Sequence, residues 1–272
     1  TKLIASVALG ISEFLTPGDE IIISSLEHHS NIVPWQMLCK RTKTCLKVIP
    51  IDKDGTLQWE VFEKLISVKT KIIAITQISN VLGVNPPIKK FIKKAHTYGA
   101  LVLIDGAQAL SHLIIDVQNL DADFYVFSAH KMYGPTGVGV LYGKKNSLEK
   151  LLPSQGGGEM IKTVTFEKTI YADIPYKFES GTPNIEGIVA FSAAIDFIKE
   201  IGINNIIIYE KKLLDYTTYM LSKINGIILY SKDIPRISII SFNIFNIHHF
   251  DIGIILDRLG ITIGKFKKSI IG

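Results

Sequence analysis

The sequence predicts an α/β fold in which a mostly parallel sheet is covered by helices on both faces. Two observations carry this prediction. Short apolar runs of strand length, Glu20–Ser24, 45–51, 71–76, Leu101–Asp105 and 123–128, alternate with stretches of helical period. Residues able to do chemistry (His28, Asn80, Asp105 and Lys131) stand at or just beyond the C-terminal ends of such runs, where open α/β sheets collect their ligands.

The elements follow in order. Leu3, Val7 and Ile11 recur at i+4, with Phe14 and Leu15 extending the stripe, so a helix opens the chain and closes at Thr16-Pro17-Gly18-Asp19. Strand 20–24 delivers Glu27, His28 and His29. Paired histidines suggest a metal, but no further ligand stands nearby at a familiar spacing, and none is assigned. Ser30 is placed to N-cap a helix running through Trp35 to Arg41. Strand 45–51, a turn at 52–55, a helix over 57–66 and strand 71–76 lead into Ser79-Asn80-Val81-Leu82-Gly83. A helix over 88–98 is closed by Gly99, and the strand ending in Asp105 follows.

Run 123–128 ends abruptly in Ser128-Ala129-His130-Lys131, passes a glycine-rich turn and continues as a second apolar run at 138–142. A lysine at the mouth of a sheet has two readings. It caps the strand and faces water, or burial lowers its pKa toward the neutral amine that a carbonyl cofactor needs. Asp105, delivered by the preceding strand, favours the second, because a lysine and an acid are the parts that pyridoxal phosphate enzymes use. Ser128 and His130 add a hydroxyl and an imidazole suited to an anionic group.

Past about residue 186 the pattern changes to longer helices, 187–200 and 204–224, then strands 227–230 and 237–243 and a helix over 251–259. This divides the chain into a large domain, 1–185, and a smaller one, 186–272. Gly134-Pro135-Thr136-Gly137-Val138-Gly139 has no phosphate-loop lysine and opens no helix, so neither nucleotide motif is present.

The formal charge of +5 comes from lysines scattered along helix faces, without zinc-finger spacing, an arginine-rich arm or a basic stripe; no nucleic-acid partner is expected. The longest apolar runs fall well short of the roughly 20 residues that span a bilayer, and no membrane partner is expected. Cys39 and Cys45 make no disulfide framework, so the cytoplasm is the expected compartment. The chain begins at Thr1 without a methionine, so an organellar targeting segment stays open.

Five stretches in order carry a resemblance: 27–38 (EHHSNIVPWQML), 78–83 (ISNVLG), 104–108 (IDGAQ), 128–137 (SAHKMYGPTG) and 179–184 (ESGTPN). They resemble the class V aminotransferases of pyridoxal phosphate (PLP) fold type I, and among these the SufS-type (group II) cysteine desulfurases. The resemblance implies a seven-stranded sheet with a partial small α+β C-terminal domain, and pyridoxal 5'-phosphate as cofactor. It implies that Lys131 holds the cofactor and moves the substrate proton and that His28 stacks on the ring. Asn80 would face that ring, Asp105 pair with its nitrogen, and Gln108 reach its hydroxyl or the lysine linkage. Ser128 and His130 would bind the phosphate, reached by Thr182 from the other subunit of a homodimer. The substrate would be L-cysteine, with L-selenocysteine the alternative, and the sulfur would pass to an acceptor of the SufE or SufU type for iron-sulfur cluster assembly.

The resemblance breaks at the end of the chain. Gly264 falls where the family carries a substrate-binding arginine and Ser269 where it carries the nucleophilic cysteine. Glycine offers no guanidinium fork, and an unactivated serine is a poor nucleophile toward sulfur. The 272 residues are therefore expected to be truncated at both ends and inactive as written, or to form a non-catalytic paralogue.

Overall fold

The structure, a computed structural model, describes residues 1–264. Six of the apolar runs pair into one sheet: β1 (Glu20–Ser24), β2 (Cys45–Ile49), β3 (Thr70–Thr76), β4 (Leu101–Asp105), β5 (Phe124–Ser128) and β6 (Gly139–Gly143). Their order is β2-β1-β3-β4-β5-β6. The first five are mutually parallel, and β6 returns antiparallel along β5. The expected mostly parallel sheet is present with six strands among the described residues rather than seven. The seventh came from the resemblance; the remaining strands among the described residues pair apart from this sheet, β7 (Ile161–Val164) with β8 (Thr169–Tyr171) and β9 (Ile227–Leu229) with β10 (Phe242–Ile244).

Alternation along each strand assigns the two faces. Ile21, Ile23, Ile72, Ala74, Leu103, Phe124 and Val126 pack under α1 (Lys2–Gly10) and α2 (Val33–Thr42), which contribute Ile4, Val7, Trp35 and Leu38. Ile22, Ile73, Ile75, Val102, Ile104 and Tyr125 pack under α3 (Trp59–Leu65) and α4 (Ile88–Thr97), which contribute Phe62, Phe91 and Ile92. Each of the Val, Leu, Ile and Phe side chains contributes about 1.5–3 kcal/mol on burial. The lysines of α4 lie on its outer side, where Lys90 caps the Trp59 ring at 3.6 Å and Lys94 meets Glu63 at 3.1 Å.

Shorter helices α5 (Val117–Leu120) and α6 (Lys145–Lys150) are followed by α7 (Ile185–Ile201), α8 (Ile203–Ser222) and α9 (His249–Arg258). No helix of the described residues is long and apolar enough to cross a membrane. Two expectations change. The strand expected over 237–243 is β10 alone, because Ile237 donates its N–H to Gly83 O and the Ser241 hydroxyl donates to Val81 O. The helix expected to start at Ser30 starts at Val33, after a 3-10 turn over His29–Asn31 whose N-cap is His28.

The strand order places a topological switch point. From β1 the chain moves outward to β2, then crosses back to β3 and continues the other way, so the loops after β1 and β3 diverge.

Candidate active site

Four loops meet at the C-terminal edge of the sheet. After β1 comes Glu27-His28; after β3, the turn at 77–84; after β4, the turn at 106–109; and β5 runs directly into a 3-10 turn over Ala129–Lys131. Register fixes their spacing: Thr76 pairs with Asp105, and Asp105 with Val126.

Asp105 is 5% exposed. Its Oδ1 accepts the Ala107 N–H at 3.0 Å, and no other hydrogen bond reaches the carboxylate among the described residues. Burial pushes its pKa above the ordinary carboxylate value, against the pull of the Ala107 N–H and the Lys131 charge.

His28 caps its turn with its own ring. Nδ1 accepts the Ser30 N–H at 3.2 Å and lies 2.8 Å from Ser30 Oγ. An accepting Nδ1 puts the proton of the neutral ring on Nε2. Partial burial and then the Lys131 charge hold the imidazole below its ordinary pKa, with Asp105 pulling the other way. At neutral pH the ring is uncharged, which suits contact with a flat apolar face.

Lys131 is half-buried at the end of its 3-10 turn. The turn is tied down on both sides, by Ala129 N–H to Val138 O at 3.1 Å and by Met132 and Gly134 N–H to Ala129 O. Gly134 is required there: a Cβ would stand 2.7 Å from the Phe191 ring and 2.9 Å from Ala129 O. Ser128 is the N-cap residue, but its hydroxyl makes no cap bond within the turn.

His28, Asp105 and Lys131 thus sense one another electrostatically at one strand edge. Asn80 and Gln108 lie half-buried in the adjoining turns, and His130 is exposed beside Lys131. Thr182 is placed differently. It is exposed on the segment before α7, whose Gly181 N–H reaches Gly158 O at 3.1 Å, and among the described residues no hydrogen bond joins it to the strand-end residues. Ser269 lies outside the described residues, and Gly264 is exposed at their end. Cys39 and Cys45 are free thiols on α2 and β2, away from this edge.

Sequence reasoning passed over the support beneath the site. Glu27 is fully buried and bonded to both β1 and β3. Tyr125 donates its hydroxyl to Gln77 Oε1 at 2.5 Å, and its ring lies where a Cβ on Gly106 would stand. The available signal was an acid directly before His28, just past an apolar strand; Ser24 and Asn31 are near it in sequence, but its partner on β3, Thr76, is 49 positions away and cannot be read locally.

The aminotransferase class-V family model matches residues 1–265. The cysteine desulfurases of Enterobacter sp. (strain 638) and Escherichia coli (strain K12 / DH10B) are each 49% identical over 247 residues, covering 90% of this chain and 61% of the relative. Among solved structures, the cysteine desulfurase CsdA of Escherichia coli superposes with a TM-score of 0.90 at 38% identity, over 96% of this chain and 65% of that one. The apo cysteine desulfurase of Thermococcus onnurineus NA1 gives 0.90 at 34%, over 96% and 66%. The chain therefore spans 61% of the length of the curated relatives it matches. On the extent of these matches, the chain belongs to the aminotransferase class-V family.

Proposed function

We propose that this chain is the cofactor-binding part of a PLP-dependent cysteine desulfurase, which takes sulfur from L-cysteine and leaves L-alanine. The observation that carries the reading is the meeting of His28, Asp105 and Lys131 at one edge of the sheet, each altering the electrostatics of its neighbours. The identity to cysteine desulfurases supports the substrate.

The residues present fit the cofactor. Asp105 is a buried carboxylate with one oxygen unclaimed, and Ser128, His130 and Lys131 offer side-chain donors that no described residue takes. Lys131 would hold the cofactor aldehyde, Asp105 its ring nitrogen, and Ser128 and His130 its phosphate. His28 would cover the ring face, with Asn80 and Gln108 at its edge. When bound, the cofactor supplies an electron sink that lets the bonds at the substrate alpha carbon break. Lys131 Nζ then holds and returns the alpha proton. Burial raises the Asp105 pKa, and the Ala107 N–H and the Lys131 charge pull it back toward the anion. The imidazole of His28 presents Nε2–H outward, because Nδ1 is occupied by Ser30.

Finer assignments belong to the same proposal. The protein is of the SufS type, acts in the cytoplasm as a homodimer in which Thr182 serves the partner's cofactor, and hands sulfur to a SufE- or SufU-type acceptor for iron-sulfur clusters. Residues 1–185 form the cofactor domain and 186–272 part of a small one. Gly264 and Ser269 supply neither a carboxylate-binding arginine nor a thiol. That observation favours a second reading, in which these 272 residues bind cofactor without turnover.

Borohydride reduction of the cofactor-loaded chain, followed by peptide mapping, tests the proposal. A pyridoxyl group on Lys131 is expected; a label elsewhere, or none, overturns it. Alanine release from cysteine then separates the catalytic from the non-catalytic reading, and parallel assay with selenocysteine separates the two substrates.

A further inference from the structure

At the switch point, pairing between β1 and β3 ends at Ile23 and Ala74, and the loops beyond them part. The Glu27 side chain spans that gap. Its Oε1 accepts the Ser24 hydroxyl at 2.5 Å and the Thr76 N–H at 2.9 Å, and its Oε2 accepts the Asn31 side-chain N–H at 2.6 Å. Asn31 in turn accepts the Trp35 Nε1–H at 2.9 Å. One carboxylate therefore gathers the end of β1, the end of β3, the 3-10 turn and the first part of α2. Glu27, Asn31 and Trp35 are each 0% exposed, so water does not replace these bonds.

We propose that Glu27 is a positioning residue for His28. Its carboxylate ties the turn carrying the imidazole to the end of β3, and so sets where that imidazole stands relative to Asp105 on the next strand. Thr76 is the link, being bonded to Glu27 on one side and in register with Asp105 on the other. The consequence for cofactor binding rests on the proposed function; the clamp itself does not.

The directions of the bonds make the role specific to an acid. Thr76 N–H and Asn31 N–H are obligate donors, one on each carboxylate oxygen. An amide at position 27 must set its own N–H against one of them, whichever way it is turned. Protonated glutamic acid escapes this conflict, because its proton can go to the Ser24 oxygen with that bond reversed.

The test uses the full chain, 15N-labelled, with and without PLP. In Glu27→Gln the His28 ring nitrogens, assigned with His28→Gln, are expected to shift, with loss of the accepting Nδ1 signal, while those of His96 and His112 stay in place. PLP affinity should fall roughly tenfold. Glu27→Asp, which keeps the acid, should recover part of both. A Glu27→Gln protein that melts lower but keeps the His28 signals overturns the proposal and leaves Glu27 as packing alone. If Glu27→Gln does not fold, Asn31→Ala removes one donor and must move His28 in the same sense; a folded variant with unchanged His28 signals overturns the proposal equally. Failure of the unaltered chain to bind PLP would sink the cofactor reading, while the His28 shifts still decide the clamp.

Discussion

Glu27 and Thr76, 49 positions apart in sequence, are joined by a 2.9 Å hydrogen bond that closes the switch point of the sheet. Burial pushes the Glu27 pKa from an ordinary 4.5 up to about 7, against the three donors that favour the anion. The Asp105 charge, on β4 two strands away from β1, raises it further.

That shift has a definite sign. The unfolded chain releases this proton near pH 4.5, whereas the folded chain keeps it to about 7. The folded state therefore binds more protons in that window, and stability falls as pH rises through it, levelling above. Glu27 should account for a fall of about 3 kcal/mol at most. Urea unfolding across this range is expected to show the slope in the native chain and a shallower one in Glu27→Gln, which has no proton to lose.

His28 reports on both of its charged neighbours. The Lys131 cation lowers its pKa and the Asp105 anion raises it. Replacing Lys131 with Ala should therefore move the imidazole titration up, and replacing Asp105 with Asn should move it down. Proton NMR titration of the His28 ring in the two variants checks the opposed directions; shifts of the same sign would mean that the three groups do not share one site.

Gly106 is fixed by the ring beneath it. A Cβ at this position would lie 2.2 Å from Tyr125 ring atoms and its hydroxyl, and Tyr125 is 0% exposed. Gly106→Ala must displace the ring and break the hydroxyl bond to Gln77, at a cost of about 2–3 kcal/mol. Denaturant midpoints measure the loss, and Tyr125→Leu combined with Gly106→Ala should recover part of it by removing the colliding atoms.

His112, in the turn after β4, is 2.8 Å from Glu210 on α8. Both side chains are about one-fifth exposed, at 19% and 21%, so the pair is partly screened. Glu210→Ala should cost about 1 kcal/mol or less and speed amide exchange in α8 without changing exchange in β3 or β4. Uniform acceleration across the sheet would mean that the pair supports the whole fold.

Much of this protein was legible in its sequence. Strands β1 and β4 occur at the expected residues, and His28, Asn80, Asp105 and Lys131 all lie at the expected strand edge. Apolar runs and helical periods are local patterns, and in a parallel sheet the end of a strand is also the place where ligands gather. The resemblance motifs likewise lie within contiguous stretches.

What the tertiary structure alone decided is which distant groups meet. His28 replaced Ser30 as the cap because its ring folds back on the Ser30 N–H. Residues 237–241 left the expected strand because their polar groups reach the 81–83 turn. Glu27 acquired its role because strand order put β1 beside β3, although β2 lies between them in sequence. Local periodicity determines the elements, but a buried polar group must find its partner across the whole chain. That choice depends on strand order, which no local pattern encodes.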